Sequence, residues 1–449
     1  MMSECMTSLK VRMCAIKHPI LTILVLGLAI RFLMMFLAFS YDTNYWAVVT
    51  RNIQMGEGLY GVRGYYYTPV WGYVLGLTSM FDTFFFDIGE LGVRVMEFVG
   101  LEDAPGTMPV SANATSFGFM FSYKMVLLVF DVILAYLMYW LIGDITKNRT
   151  KANAAFLLTF LCPSIFSVLT IFGMPDEISS TMVVLSIILL RRDHPFLAGS
   201  CYAVAILNKF FPIFIFFPLV AYAFSRCHDK KAGLKDVGLA SAGTLLMVTI
   251  IMFPLILNGD IMSAFYFLTS RATVSSDPTL FDFLKSYGAI LVTLVALAVS
   301  FILSVRSVKN DVADPLDRFM KHSMISLAVM FLYPSNPQYM IIIFPFLIYC
   351  ILTCSKSLLR SWGLLGFGGL VQSLSTLAML LSSIAAYTTL VSPEFIVSAF
   401  RFMDGVLPVT YMVIIGAIGT VLQYVGILLI LYVAYRSRLY KADISHDST

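Results

Sequence analysis

The stretch PILTILVLGLAIRFLMMFLAF, from Pro19 to Phe39, carries a single charged residue, Arg31, in an otherwise apolar run. About 20 such residues are what an α-helix needs to cross the hydrocarbon core of a bilayer, and a secretory leader has a shorter apolar core. No small-residue cleavage site follows, so the stretch reads as a retained first spanning helix. The rest of the chain has the same character. Of its 449 residues, 59% are hydrophobic and 12% charged, and mean hydropathy is +0.86. Soluble domains carry about 25% charged residues. A soluble globular domain is therefore excluded, and nucleic acid is not an expected partner.

Further apolar stretches recur at 119–142, 152–171, 178–190, 195–208, 211–225, 237–257, 287–305, 322–334, 338–353, 361–384 and 410–434. With the first they predict an all-α polytopic bundle of about twelve transmembrane helices in a single domain. Several are short and broken by Pro212, Pro218, Pro334, Pro337 and Pro345, and broken helices at membrane depth must be buried in protein or line a wet cavity. The basic residues set the orientation. With the N-terminus inside, most of the 30 fall in inner segments, among them Lys10, Lys147, Arg191, Arg226, Arg318, Lys356 and Arg436. The outer side receives Arg51, Arg63, Arg94, Lys124, Arg271, Lys285 and Arg401. That alternation follows the positive-inside rule and makes both termini cytoplasmic.

Three outer segments are long, 40–118, 258–286 and 385–409, and the first is the largest. Its part from Phe84 to Phe98 mixes aromatics and acids at helical spacing, as a helix lying along a membrane surface would. Asn113-Ala114-Thr115 fits a glycosylation acceptor. No cysteine falls in an outer loop, so no structural disulfide is expected.

Within the first outer segment, residues 41–73 read YDTNYWAVVTRNIQMGEGLYGVRGYYYTPVWGY, the densest collection of polar and aromatic groups in the chain. Asp42 serves either as an N-cap for a helix from Tyr45 to Gln54 or as a general base at a partly apolar, wet surface. Tyr65–Tyr67 and Trp71 suit a membrane aromatic belt, but the neighbouring Gly56, Gly58, Gly61 and Gly64 point to a tight loop. Other outer-face turns carry Asp176, Lys209, Gln338 and Tyr339. Asp176 reads equally as a helix cap and as a site residue. Lys209, at a helix break, can snorkel or bind a phosphate, and Arg63 and Arg271 are further phosphate candidates. The substrate-binding candidates are Tyr45, Tyr67, Pro69, Asp176, Gln338 and Tyr339. Arg31 and Asp131 lie within spans and are expected to pair. The chain has no glycine-rich phosphate loop, His/Cys metal pattern or Ser-His-Asp signature.

Four blocks carry a resemblance: Asp42-Thr43-Asn44-Tyr45 with Gly58-Leu59-Tyr60 and Tyr65-Tyr66-Tyr67-Thr68-Pro69; Phe130-Asp131-Val132; Cys162-Pro163-Ser164 through Gly173-Met174-Pro175-Asp176-Glu177-Ile178 to Asn208-Lys209-Phe210-Phe211-Pro212; and Ser335-Asn336-Pro337-Gln338-Tyr339. On these the chain resembles the GT-C class of integral-membrane glycosyltransferases, most closely the catalytic subunit of GPI mannosyltransferase I and its prokaryotic relatives. The resemblance implies a large first outer loop and inverting transfer of a sugar, usually mannose, from a polyprenyl- or dolichyl-phosphate carrier to a lipid- or protein-linked acceptor. It implies Asp42 as catalytic base and Lys209 as reader of the donor phosphate. It also implies the plasma membrane for a prokaryotic protein and the endoplasmic reticulum for a eukaryotic one. The eukaryotic enzyme has a second acid where this chain has Asn44, so a divalent cation is compatible but not implied, and no accessory subunit is specified. The competing classes are a transporter or lipid flippase, expected to show mid-membrane charges and an inverted repeat, and a non-catalytic scaffold.

Overall fold

The computed structural model describes residues 18–38, 40–61, 65, 67–85, 94–95, 113–114, 117–227, 229–265, 280–309, 314–333, 336–377, 380–381, 384, 390, 392–407 and 409–436. They are helical apart from turns and one short antiparallel pair, β1 (Arg94–Val95) with β2 (Asn113–Ala114). The helices are α1 (Pro19–Met34), α2 (Ser40–Gln54), α3 (Pro69–Phe85), α4 (Phe117–Thr146), α5 (Arg149–Phe160), α6 (Pro163–Ser167), α7 (Asp176–Arg191) and α8 (Pro195–Asn208). There follow α9 (Phe216–Ser225), α10 (Lys230–Leu257), α11 (Leu280–Lys309), α12 (Pro315–Met330), α13 (Phe344–Thr353), α14 (Leu359–Leu374), α15 (Pro393–Val406) and α16 (Tyr411–Arg436).

Local chemistry explains many of the boundaries. Pro19, Pro69, Pro163, Pro195, Pro315 and Pro393 each stand at the start of a helix, where the missing N–H costs nothing and the fixed φ suits the first turn. The side chains of Asn148, Asp229, Asp314 and Ser392 accept from backbone N–H groups of the turns they cap. Each of these bonds satisfies a donor that has no partner within the helix.

Among the described residues, five helices are long and apolar enough to cross a membrane: Phe117–Thr146, Arg149–Phe172, Lys230–Leu257, Tyr287–Val308 and Tyr411–Arg436. Shorter apolar helices cover Pro19–Met34, Pro195–Asn208, Phe211–Ser225 and Pro337–Thr353. The outward surface fits a multi-pass membrane protein. α10, α11 and α16 turn Leu245, Leu257, Leu291, Leu294, Val421 and Leu428 outward, each more than half exposed. α10 meets α8 closely because Gly199 and Gly243 face the backbone of the other helix, and a Cβ at either would collide with Ala240 O or Phe196 O.

One charged pair in the interior is held by local partners. Arg31 is fully buried; its Nε donates to Asp131 Oδ2 at 2.7 Å, and its two NH groups donate to Gly27 O and Phe160 O at 3.1 and 2.7 Å. The guanidinium lies 3.9 Å from the Phe160 ring centroid. The expected Arg31–Asp131 pair is present. Such a pair costs desolvation, and breaking it leaves an uncompensated charge.

Two boundaries and the burial of one lysine differ from the sequence expectation. α1 ends at Met34 because Lys124 draws off the carbonyls beyond it: its Nζ donates to Met35 O and Leu37 O at 3.3 and 2.7 Å, and to Thr170 O at 2.6 Å. Lys124, expected among the outer basic residues, is wholly buried. The segment expected as a loop between residues 40 and 118 contains two packed helices, α2 and α3, since the apolar residues Val70, Trp71 and Leu75 give α3 a face to bury. Most of Phe84–Phe98, with Thr115 of the glycosylation triplet, lies outside the described residues, as do 266–279 and 385–389.

Candidate functional site

The site is built where two helix breaks are tied together. Gly173 takes a left-handed φ of 61°, and a Cβ there would strike the Tyr123 ring, so the turn into α7 requires glycine. The Pro175 carbonyl of that turn accepts from Asn208 Nδ2 at 2.8 Å, and the same amide donates to Ser179 Oγ at 2.8 Å. Ser179 Oγ in turn donates to Ala205 O at 3.0 Å. The start of α7 and the end of α8 are thus stitched side by side. Pro212 stops α8 from continuing, and Lys209 turns extended, with φ −152° and ψ 138°, before the 3₁₀ turn Phe211–Ile215.

Lys209 is the cation of this junction. Its side chain is 9% exposed and its Nζ lies 3.2 Å from Asp176 Oδ2. The amine also sits 4.4 Å from the Tyr67 ring centroid and 5.0 Å from that of Tyr339. Rings at that range attract a cation through their negative faces. Each ring is itself held. Tyr67 Oη donates to Met174 Sδ at 3.5 Å, and Trp46 meets Tyr67 edge-on at 4.9 Å. Tyr339, on the 3₁₀ turn Pro337–Ile343, stacks on Phe211 at 4.8 Å.

Asp42 stands in the first turn of α2, which begins at Ser40. It is inside the helix rather than its N-cap, which corrects the capping alternative. The carboxyl is half-buried and forms no hydrogen bond or ion pair with any described residue. Burial lifts it from the usual carboxylate range to about 7, with Lys209 pulling it down and Asp176 pushing it up. Burial, and next the Asp42 carboxylate, push the Tyr67 phenol well above its ordinary range. A carboxyl near 7 that hydrogen-bonds none of the described residues suits proton abstraction at neutral pH.

The structure therefore gathers Asp42, Tyr67, Asp176, Lys209 and Tyr339. Tyr45 lies one ring further out, 6.4 Å from Tyr65 and stacked with it, while Tyr65 sits 5.9 Å from Tyr67. Gln338 is buried beside Tyr339 on the same turn. Pro69 is buried at the start of α3, so its position is explained by helix initiation. Arg63 and Arg271 lie outside the described residues. Two buried groups escaped sequence reasoning. One is Lys124; the other is Glu177, fully buried next to Asp176, with neither carboxylate oxygen hydrogen-bonded among the described residues. A buried carboxyl beside another acid is a functional signal, but its burial is invisible in a turn sequence.

Among the described residues, no group of three or more His, Cys, Asp or Glu side chains could hold a metal ion. Compared with known proteins, the chain matches no protein-family model and no curated protein.

Proposed function

We propose that the protein is a GT-C-type glycosyltransferase of about twelve spans with both termini cytoplasmic and the Asp42 site at the outer or luminal face. It transfers a sugar, mannose by resemblance, from a polyprenyl- or dolichyl-phosphate carrier to a lipid- or protein-linked acceptor. The observation that carries this reading is a buried lysine, paired with Asp176 at a helix break, whose charge also reaches the Asp42 carboxyl that burial lifts to about 7. A carrier anchored in lipid brings its phosphate to the bilayer surface, where Lys209 waits at a broken helix. An acceptor arriving from water meets the more open Asp42.

In the transfer, the acceptor hydroxyl oxygen attacks the anomeric carbon from the face opposite the phosphate. The new carbon–oxygen bond forms as the bond to the phosphate oxygen breaks, and the electron pair leaves on the carrier phosphate. Asp42 takes the hydroxyl proton, and Lys209 offsets the charge developing on the leaving phosphate. Inversion at the anomeric carbon follows from the single displacement. Tyr45 and Tyr67, both partly exposed, supply ring faces that suit a sugar.

The transporter reading draws on mid-span charges. Arg31 and Asp131, the mid-span charges that would serve a translocation path, are bonded to each other and closed in by Phe160. The test is to incubate membranes carrying the protein with a panel of labelled polyprenyl-phosphate sugars. One of them should yield a labelled lipid or protein product; release or uptake of label with no new glycoside from any donor would defeat the proposal.

A further inference from the structure

Asp176 occupies the amine that the donor phosphate needs. We infer that it is the resident counter-ion of Lys209, a carboxylate that holds the amine between turnovers and exchanges with the carrier phosphate. The inference rests on the phosphate role proposed for Lys209.

Three observations carry it. Asp176 and Lys209 are both buried and pair at 3.2 Å, and Asp176 is the only ion partner of Lys209 among the described residues. An unpaired ammonium in that setting is costly, so the amine must hold one anion or another at every stage. The rings of Tyr67 and Tyr339 flank the amine and are fixed by Met174 and Phe211, so the anion exchanges while the cation stays in place. Finally, acids outnumber the cation: the charges of Asp42 and Asp176 both act on one lysine, Lys209.

The charges explain why such an exchange is useful. A sugar phosphodiester bears one negative charge, as the Asp176 carboxylate does, so donor binding replaces like with like at Lys209. After transfer the carrier is left as a phosphate monoester, which at neutral pH carries a charge between about −1.5 and −2. It would hold Lys209 more tightly than the donor did, making departure of the spent carrier the difficult step. Asp176, anchored on α7 within reach, retakes the amine and repels the monoester.

The inference predicts an effect opposite in sign to that of a substrate contact. In Asp176→Asn the competing carboxylate is gone, so undecaprenyl phosphate should inhibit transfer with a Ki at least about fivefold lower than in the wild type, with donor KM and kcat both reduced. Direct binding of undecaprenyl phosphate, followed by quenching of tryptophan fluorescence (Trp46 lies 4.9 Å from the Tyr67 ring), should tighten in parallel. Asp176→Ser provides a second uncharged variant should the first fail to fold, with the same expected direction. Unchanged or weaker binding in a folded variant overturns the inference, because an acid that contacts sugar hydroxyls or merely caps α7 cannot tighten a phosphate. A wild-type protein that neither transfers sugar nor binds undecaprenyl phosphate overturns the transferase reading, and the exchange with it. A wild type that does both, beside variants that do not tighten, overturns the exchange alone.

Discussion

The two ends of α7 handle charge in opposite ways. At its C-terminal end Arg191 bonds Asp144 at 2.8 Å, and Asp144 also takes Lys147 at 3.0 Å. Nearby, Arg226 pairs with Asp236 and Asp193 and donates to the Leu190 carbonyl. Cations and acids there are matched, and Lys147 and Asp193 are largely open to solvent, 77% and 86% exposed. At the N-terminal end, about 24 Å away along a 16-residue helix, one buried lysine serves both Asp176 and Asp42, and Glu177 is buried with neither oxygen hydrogen-bonded among the described residues. The first arrangement needs only geometry and solvent to be tolerable. The second raises the energy of the folded state, and folded proteins keep such imbalance where chemistry requires it.

The sharpest way to break this contrast is Asp42→Asn. Transfer of labelled sugar should fall by a factor of about 10² to 10⁴, the usual worth of a general base, while expression and helicity persist. A wild-type rate would remove Asp42 from the mechanism. The same carboxyl fixes two pH dependences. A base must be ionised, so the wild-type rate should climb as pH rises through about 7 and level off above it. Stability moves the other way. The folded state holds the proton more tightly than the unfolded chain, so the group's stabilising contribution is complete below about pH 4 and is lost as pH rises towards and through 7. Asp42→Asn should therefore melt higher than the wild type above pH 7 in a thermal scan, although it is the less active protein.

Lys209→Gln comes next. It should raise the apparent donor KM by about tenfold or more, since a charge-assisted contact to phosphate is lost; an unaltered KM would detach the lysine from the donor. At the matched end the effect should be smallest. Asp144→Asn removes partly exposed pairs worth about 0–1 kcal/mol each, so a slight fall in melting temperature with unchanged transfer is expected. A loss of activity comparable to that of Asp42→Asn would erase the distinction between the two ends.

Much of this was legible in the amino-acid order, for a physical reason. In a chain so poor in charge, an acid or a lysine beside a helix break stands out, and Asp42, Asp176 and Lys209 were marked on that ground and lie together, with the turn residue Tyr339 beside Lys209. Arg31 and Asp131 were likewise conspicuous within apolar runs, and they bond. What escaped depends on partners that have no sequence signature. The acceptors of Lys124 are backbone carbonyls, so its position near the end of an apolar run gave it the look of an interfacial lysine. Glu177 adjoins an acid in a turn and received no role of its own, whereas its carboxyl is enclosed. Within the outer segment 40–118 the sequence suggested one helix, from Tyr45 to Gln54, but the polar and glycine residues around it hid α3, which packs on α2 and α4.

Lys124 has one further consequence. Met35 and Leu37 lead directly into the helix that carries Asp42, and Thr170 leads into the turn that delivers Asp176. A single amine on α4 thus serves as the common datum from which both carboxylates are measured. Two stretches of chain far apart in sequence leave the same fixed point, so a displacement of α4 is passed to both acids together.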